Sequence, residues 1–173
     1  PKSSTTVLTQ NVLDIYNNAL GMVGLEKITN INDDSAQRVA LDAAWDFGAV
    51  NHCLEIVKPS FSRKTAKLTS SAVSANHDLD NVFTLPSDWL ENVAVYSDSR
   101  LDQPIARYIT ENRTIACEYD TIYIRYVSTD NAAVYSVWPS SFSHVLSAYL
   151  AREIAVAFAP KEYEILVKKF SDI

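Results

Sequence analysis

The stretch IARYITENRTIACEYDTIYIRYV, residues 105–127, decides the fold. Its end, Thr121-Ile122-Tyr123-Ile124-Arg125-Tyr126-Val127, is β-branched or aromatic at every position but Arg125, the composition of a pleated, half-buried strand. Residues 105–109 read as a strand before it, Thr110-Glu111-Asn112-Arg113 as a turn, 114–117 as the returning strand and Glu118-Tyr119-Asp120 as a second turn. The reading is a three-stranded antiparallel meander. Upstream, Val82-Phe83-Thr84-Leu85 and Val93-Ala94-Val95-Tyr96 are short strands separated by Pro86-Ser87-Asp88-Trp89-Leu90. The β region therefore spans about residues 82–127.

Helical periodicity lies on both sides. Leu8, Val12, Ile15, Ala19 and Val23 form one stripe, predicting a helix over about 8–23 that ends at Gly21 and Gly24. Asp33-Asp34-Ser35 opens the longest expected helix, about 35–57, with Ser35 or Asp34 as cap. Its stripe runs Ala36, Val39 or Ala40, Ala43, Phe47, Val50, Leu54 and Val57, and Lys58-Pro59 stops it. Trp45 lies off this stripe and serves a second packing surface or an interface. After the β region, Trp138-Pro139-Ser140 starts a helix over about 139–158, with Phe142, Leu146, Tyr149 or Leu150, Ile154 and Ala157 or Phe158 inward. Ala159-Pro160 breaks it. Tyr163, Leu166, Phe170 and Ile173 mark a last helix, about 161–173. Four helices around a small antiparallel sheet make an α+β chain, expected as one domain over residues 1–173.

Residues 60–81 show no persistent period and are rich in Ser and Thr. That predicts an extended arm or hairpin, mobile in a free subunit and ordered by a partner.

The chain has 173 residues, 15 Lys and Arg against 21 Asp and Glu, and a net charge of −6. Its basic residues look scattered. The nearest clusters are Lys58 with Arg63-Lys64-x-x-Lys67, and Lys168-Lys169, both read as solvated faces. Specific binding to nucleic-acid phosphates is not expected from this balance. Three glycines, Gly21, Gly24 and Gly48, exclude a glycine-rich phosphate cradle. No apolar run reaches membrane-span length, and no secretory leader is expected behind Pro1-Lys2-Ser3-Ser4. Pro1 fits removal of an initiator Met or a trimmed chain.

Candidate chemistry is sparse. Cys53 and Cys117 read as buried small hydrophobes in a reducing cytoplasm. His52 adjoins Cys53, but neighbours on a helix point about 100° apart, which does not make a nucleophile–base pair. His77-Asp78-x-Asp80 has alternate metal-ligand types on an extended segment but few ligands. His144 belongs to no HExxH pattern, and Asp42 and Asp46 stand one helical turn apart as solvated carboxylates do. No catalytic residue, cofactor site or metal site is assigned. Two alternatives stay open: a small α+β binding module, and a hydrolase using His52, Cys53 or Asp78.

The order of segments resembles the head–tail connector (adaptor) proteins of tailed bacteriophages, of the tail tubular protein A type. The likeness runs through Val12-Leu13-Asp14-Ile15-Tyr16-Asn17-Asn18-Ala19-Leu20-Gly21 and Ile28-Thr29-Asn30-Ile31-Asn32-Asp33-Asp34-Ser35. It continues through the aromatic–basic stretch Lys58-Pro59-Ser60-Phe61-Ser62-Arg63-Lys64-Thr65-Ala66-Lys67-Leu68 and through Phe83-Thr84-Leu85-Pro86-Ser87-Asp88-Trp89-Leu90. Asp120-Thr121-Ile122-Tyr123-Ile124-Arg125-Tyr126 and the helix 142–158 complete it. One departure is the aromatic pair with Trp that commonly follows the family's second helix: here Trp45 comes earlier and Phe61 stands near that place.

The resemblance implies a structural virion protein made in the host bacterial cytoplasm and placed at the head–tail neck. It implies a homo-oligomeric ring, expected at 12 copies, between the portal and the tail tube or nozzle protein. Genome DNA passes through this conduit during ejection without specific binding. There is no catalytic activity, cofactor or membrane partner to carry over. Phe61, Arg63, Lys64 and Lys67 are the expected contact residues of the arm, the three cations meeting acidic protein groups instead of phosphates.

Overall fold

A computed structural model of the chain describes residues 10–73, 78–161, 164, 165 and 168. In order, its elements are α1 (Gln10–Met22), α2 (Ala36–Asp46), α3 (Ala49–Val57), β1 (Arg63–Thr69), β2 (Ala72–Val73), β3 (Asn81–Thr84), β4 (Trp89–Tyr96), β5 (Ile109–Glu111), β6 (Thr114–Cys117), β7 (Thr121–Ser128) and α4 (Ser140–Phe158). Short 3-10 turns sit at Ser60–Ser62 and Tyr135–Val137. The class is α+β, with helices toward both ends and antiparallel strands between them. Helical residues recur at 160, 161, 164, 165 and 168. The rest of the expected helix 161–173 lies outside the described residues, as do Leu8 and Thr9.

The chain divides into two compact units. One holds the residues up to Cys53 and from Tyr135 onward, and is helical. In it α1 packs on α4: Val12, Ile15, Tyr16, Ala19 and Leu20 are buried, as are Phe142, Leu146, Leu150 and Ile154. The Ser147 hydroxyl lies 3.2 Å from the Ile15 carbonyl of α1 and 2.9 Å from Ser143 O, so no polar group is stranded there. Gly24, at φ +70, closes α1 with a bond from Leu25 N to Leu20 O, the six-to-one bond of a glycine-ended helix. Trp45 stacks edge-on to Tyr16, centroids 5.8 Å apart, and sits 6.5 Å from Tyr135, so it serves internal packing.

The other unit, Leu54–Val134, holds two antiparallel sheets. Their strand orders are β1-β7-β4 and β2-β3-β6-β5. Inward residues of both sheets (Phe83, Val95, Ile115, Ile122, Ile124 and Tyr126) form one core, with Leu85, Ile105 and Cys117, and Ala66 and Leu68 pack against it.

Three expectations change. Of the arm or hairpin expected over 60–81, residues 72–73 do pair back antiparallel on 81–82, but the segment is not an arm throughout. Its residues 63–69 pair with β7 along seven consecutive positions, from Arg63 opposite Val127 to Thr69 opposite Thr121. The period was hidden because only Ala66 and Leu68 mark the inward face, among Lys and Thr. Second, the meander does not form. β5 and β6 make a hairpin through Asn112 and Arg113, both at positive φ, but β7 leaves for the other sheet and becomes its centre. The most β-prone segment thus gains two partners instead of one. Residues 105–108 lie outside β5; Ile105 N bonds Val95 O instead.

Third, the expected helix 35–57 is two helices. Ser35 caps α2 through its hydroxyl, which accepts from Arg38 N at 3.3 Å. Phe47 N reaches Ala43 O, and Gly48, at φ +111, then turns the chain into α3. Lys58 ends α3 in the left-handed region, at φ +46 before Pro59. The break rotates the two halves of the apolar stripe apart. Val50 and Leu54 are buried, whereas Ala36, Val39, Ala43 and Phe47 face solvent, and Leu41 is the buried residue of α2.

Gly48 meets no atom within 4 Å of where a Cβ would stand, so its requirement is conformational only. Gly48→Ala is expected to lower stability by about 1–3 kcal/mol, the cost of holding an L residue at such a φ. Urea unfolding measures it, and an unchanged midpoint would show that the α2–α3 junction carries no backbone strain.

Candidate functional site

The expected contact residues lie on and just before β1, an edge strand, yet they do not act alike. Phe61 is half-buried in the 3-10 turn, and its carbonyl accepts from Asn131 Nδ2 at 2.8 Å. Arg63 donates Nε to the Lys58 carbonyl at 2.6 Å, bracing the turn that ends α3. Lys67 is exposed at mid-strand. Lys64 points the other way: its ammonium donates to Asp88 Oδ2 at 2.9 Å and to Asp130. Both carboxylates belong to its own chain, and the hydrogen bonds Lys64 donates, first to Asp130 and then to Asp88, push its pKa well up. Lys64 is therefore a structural cation.

Asp88 is the centre of this arrangement. Its carboxylate accepts from Ser128 Oγ at 2.6 Å, from Tyr126 Oη at 3.2 Å and from Lys64. Its carbonyl accepts from Thr129 N at 2.9 Å. Burial alone raises the Asp88 pKa, but the hydrogen bonds from Lys64, Ser128 and Tyr126 together hold it below its ordinary 3.8. Tyr126 is raised by burial and by the adjacent Asp88 charge. The preceding residues are held too: Arg113 Nη2 donates to Pro86 O at 2.7 Å, and Leu85 N donates to Arg113 O at 3.0 Å. The Leu-Pro-x-Asp segment was visible in the sequence; its partners, 24 to 40 positions away, were not.

The face of the β1-β7-β4 sheet opposite its core carries a second set. Side chains alternate, and Ile122, Ile124 and Tyr126 point inward, so Thr121, Tyr123, Arg125 and Val127 take the other face. Register places Lys67, Tyr123 and Tyr96 in one row across the three strands, Thr65, Arg125 and Ala94 in the next, and Arg63, Val127 and Glu91 in the third. Arg63 and Lys67 are exposed, Arg125, Tyr123 and Tyr96 are half-buried, and Val127 is fully buried, so the third row is covered. Sequence reading missed Arg125 and both tyrosines here, since they join β1 only through pairing across more than 50 residues. The signal for Tyr123 and Arg125 was the two-residue period of 121–127.

The nucleophile and ligand candidates do not converge. Burial pushes the Cys53 thiol up to about 11, and raises Cys117, whose sulfur lies 3.8 Å from Tyr119 O. His52 is exposed, its ring 5.0 Å from that of Tyr149, and His144 is exposed on α4. Asp42 accepts from the buried Tyr16 hydroxyl at 2.9 Å and from Arg38 Nε at 2.9 Å, so it ties α1 to α2. Asp46 is exposed. Asp78 and Asp80 are exposed, and His77 lies outside the described residues. No group of three or more His, Cys, Asp or Glu is placed to hold a metal among the described residues. No helix among them is long and apolar enough to cross a membrane.

The helical unit carries an apolar surface. Ala40, Ala43, Ala44 and Phe47 face Tyr149, Glu153, Ile154 and Ala157 across a groove of about 400 Å³. Phe47 is 94% exposed, Val39 59% and Val156 60%.

No protein-family model matches the chain, and no curated protein sequence matches it.

Removing the Asp88 charge tests this hub. Asp88→Asn is expected to cost about 1–3 kcal/mol at neutral pH by leaving Ser128, Tyr126 and Lys64 poorly paired. The folded pKa lies below the unfolded one, so the charge stabilises above about 3.8 and that contribution fades as pH falls through the folded value. Urea unfolding of wild type and variant should therefore converge in acid. An equal gap at neutral and acid pH would place the effect elsewhere.

Proposed function

We propose that the chain is a head–tail connector subunit of a tailed bacteriophage. It is a structural virion protein that closes into a ring, expected at 12 copies, between the portal and the tail tube or nozzle protein. The ring is a conduit for genome DNA during ejection, and the subunit performs no catalysis.

The observation that carries this reading is the outward stripe of α2. Ala36, Val39, Ala43 and Phe47 recur at helical spacing, yet they face solvent. Beside them lies the alanine-lined groove. An isolated subunit keeps this apolar surface hydrated, and exposed contiguous apolar surface marks a protein contact. A closed ring of identical subunits supplies such contacts by presenting one face of each copy to a different face of the next. The segment order from Val12 to Phe158, set out above as similar to the connector family, supports the same reading. The raised Cys53 and Cys117 thiols fit a structural role, because a protonated thiol is a poor nucleophile.

Light scattering, on the protein alone and mixed with portal, tests the proposal. Wild type is expected to reach a ring-sized mass at least with portal present. Val39→Asp with Phe47→Asp is expected to remain a subunit while its own unfolding free energy changes by less than about 0.5 kcal/mol, since both side chains are exposed. Cys53→Ala with Cys117→Ala is expected to assemble normally. A wild-type chain that stays monomeric with portal would instead favour a small binding module, and activity dependent on a thiol or a metal would favour an enzyme.

A further inference from the structure

We infer that the outer face of the β1-β7-β4 sheet binds a nucleic-acid strand, through Arg63, Lys67 and Arg125 on its phosphates and Tyr123 and Tyr96 against its bases. The inference does not depend on the ring reading, because the face belongs to a single subunit.

The 15 basic residues look scattered along an acidic chain, but strand pairing gathers three of them. Thr65 lies opposite Arg125, so Arg125 enters between Arg63 and Lys67, the two cations that flank Thr65 on the same face of β1. Neighbouring strands are about 4.8 Å apart and same-face residues about 6.7 Å apart along a strand. The three cations thus form a compact triangle. The structure accounts for the other nearby cation, Lys64, through Asp88 and Asp130 on the core side. Among the three rows the acidic residue is Glu91, which sits 3.6 Å from Lys58 Nζ. The face is therefore locally positive although the chain is at −6.

The tyrosines decide between two kinds of anionic partner. An acidic peptide needs cations alone. Here Lys67 shares its row with Tyr123 and Tyr96, side by side on adjacent strands. The row of Val127 is buried, so the accessible part of the face is the Lys67 and Arg125 rows with the β1 edge. Partly exposed rings beside cations are what a single strand uses, bases stacking on the rings while phosphates track the charges. Stacking accepts any base, so the contact is without sequence preference.

The test uses the intact chain and a labelled oligothymidylate of about 12 nucleotides, within the site size of single-strand binding folds. Fluorescence anisotropy at low salt should show binding that weakens with salt at a log–log slope near about −2, as three neutralised phosphates of a single strand give. Lys67→Gln with Arg125→Gln should weaken it at least roughly tenfold. Tyr123→Ala should weaken it by roughly tenfold, and Tyr123→Phe should retain it. Circular dichroism melts confirm that each variant is folded. No binding by the wild type overturns the inference, as does binding that Lys67→Gln with Arg125→Gln leaves intact. Binding in which polyglutamate competes equally and Tyr123→Ala changes nothing also overturns it, and assigns the face to an acidic protein.

Discussion

The β unit depends on one carboxylate. Asp88 stands just before β4, and its acceptor sites are taken by groups from β1 and from the end of β7. Three strands far apart in the chain thus share a single anion. An exposed ion pair alone is worth little, because water screens it and two long side chains must be ordered. Asp88 differs in that two hydroxyls join the ammonium, and hydrogen bonds to a charged acceptor exceed neutral ones. Edge placement makes this matter. β1 has a strand on one side only and contributes just Ala66 and Leu68 to the core. Lys64 supplies the anchoring that its apolar content does not.

A parallel device operates in the helical unit. Arg38 bonds Asp42 and also the carbonyls of Ile31 and Asp33, while Tyr16 donates to Asp42 from a fully buried position. Burial first, and the Asp42 carboxylate second, push the Tyr16 pKa far up, so it remains a donor. Asn17 then clamps the connector by bonding both N and O of Ile28. With α2 fixed by this polar network and by Leu41, its small-residue face need not turn inward. That is how an apolar stripe comes to face water without unravelling the helix.

Helix limits were legible where a local signal fixes them: Ser35 as cap, Gly24 as terminator, Lys58-Pro59 as stop. The burial of a stripe was not, because spacing tells which residues share a face and not which side of the helix meets the core. One glycine, Gly48, rotated the second half of the expected helix away from the first. The strand character of 121–127 was plain, but its partners were not, since sequential pairing is only the commoner case. β1 was the least legible element, for its stability comes from a partner more than 50 residues away and from Asp88. Of the candidate site, Lys64 belongs to the fold, Arg63 is shared between bracing Lys58 and the outer face, and Lys67 stands outward with Arg125.

Charge follows the same division between fold and surface. Arg38 and Lys64 are spent on carboxylates of their own chain, which leaves them little to offer a partner. The cations on the outer sheet face stand beside tyrosines instead of carboxylates, apart from Glu91, which neighbours Lys58. Net charge therefore misdescribes this molecule as a ligand sees it. A chain at −6 repels polyanions at long range, but within a Debye length of about 10 Å the local rows dominate. On the proposed reading of this face, long-range repulsion beside a small attractive patch would make the contact weak and readily released. For a strand that has to move past the protein, weak contact permits sliding where a strong basic groove would arrest it.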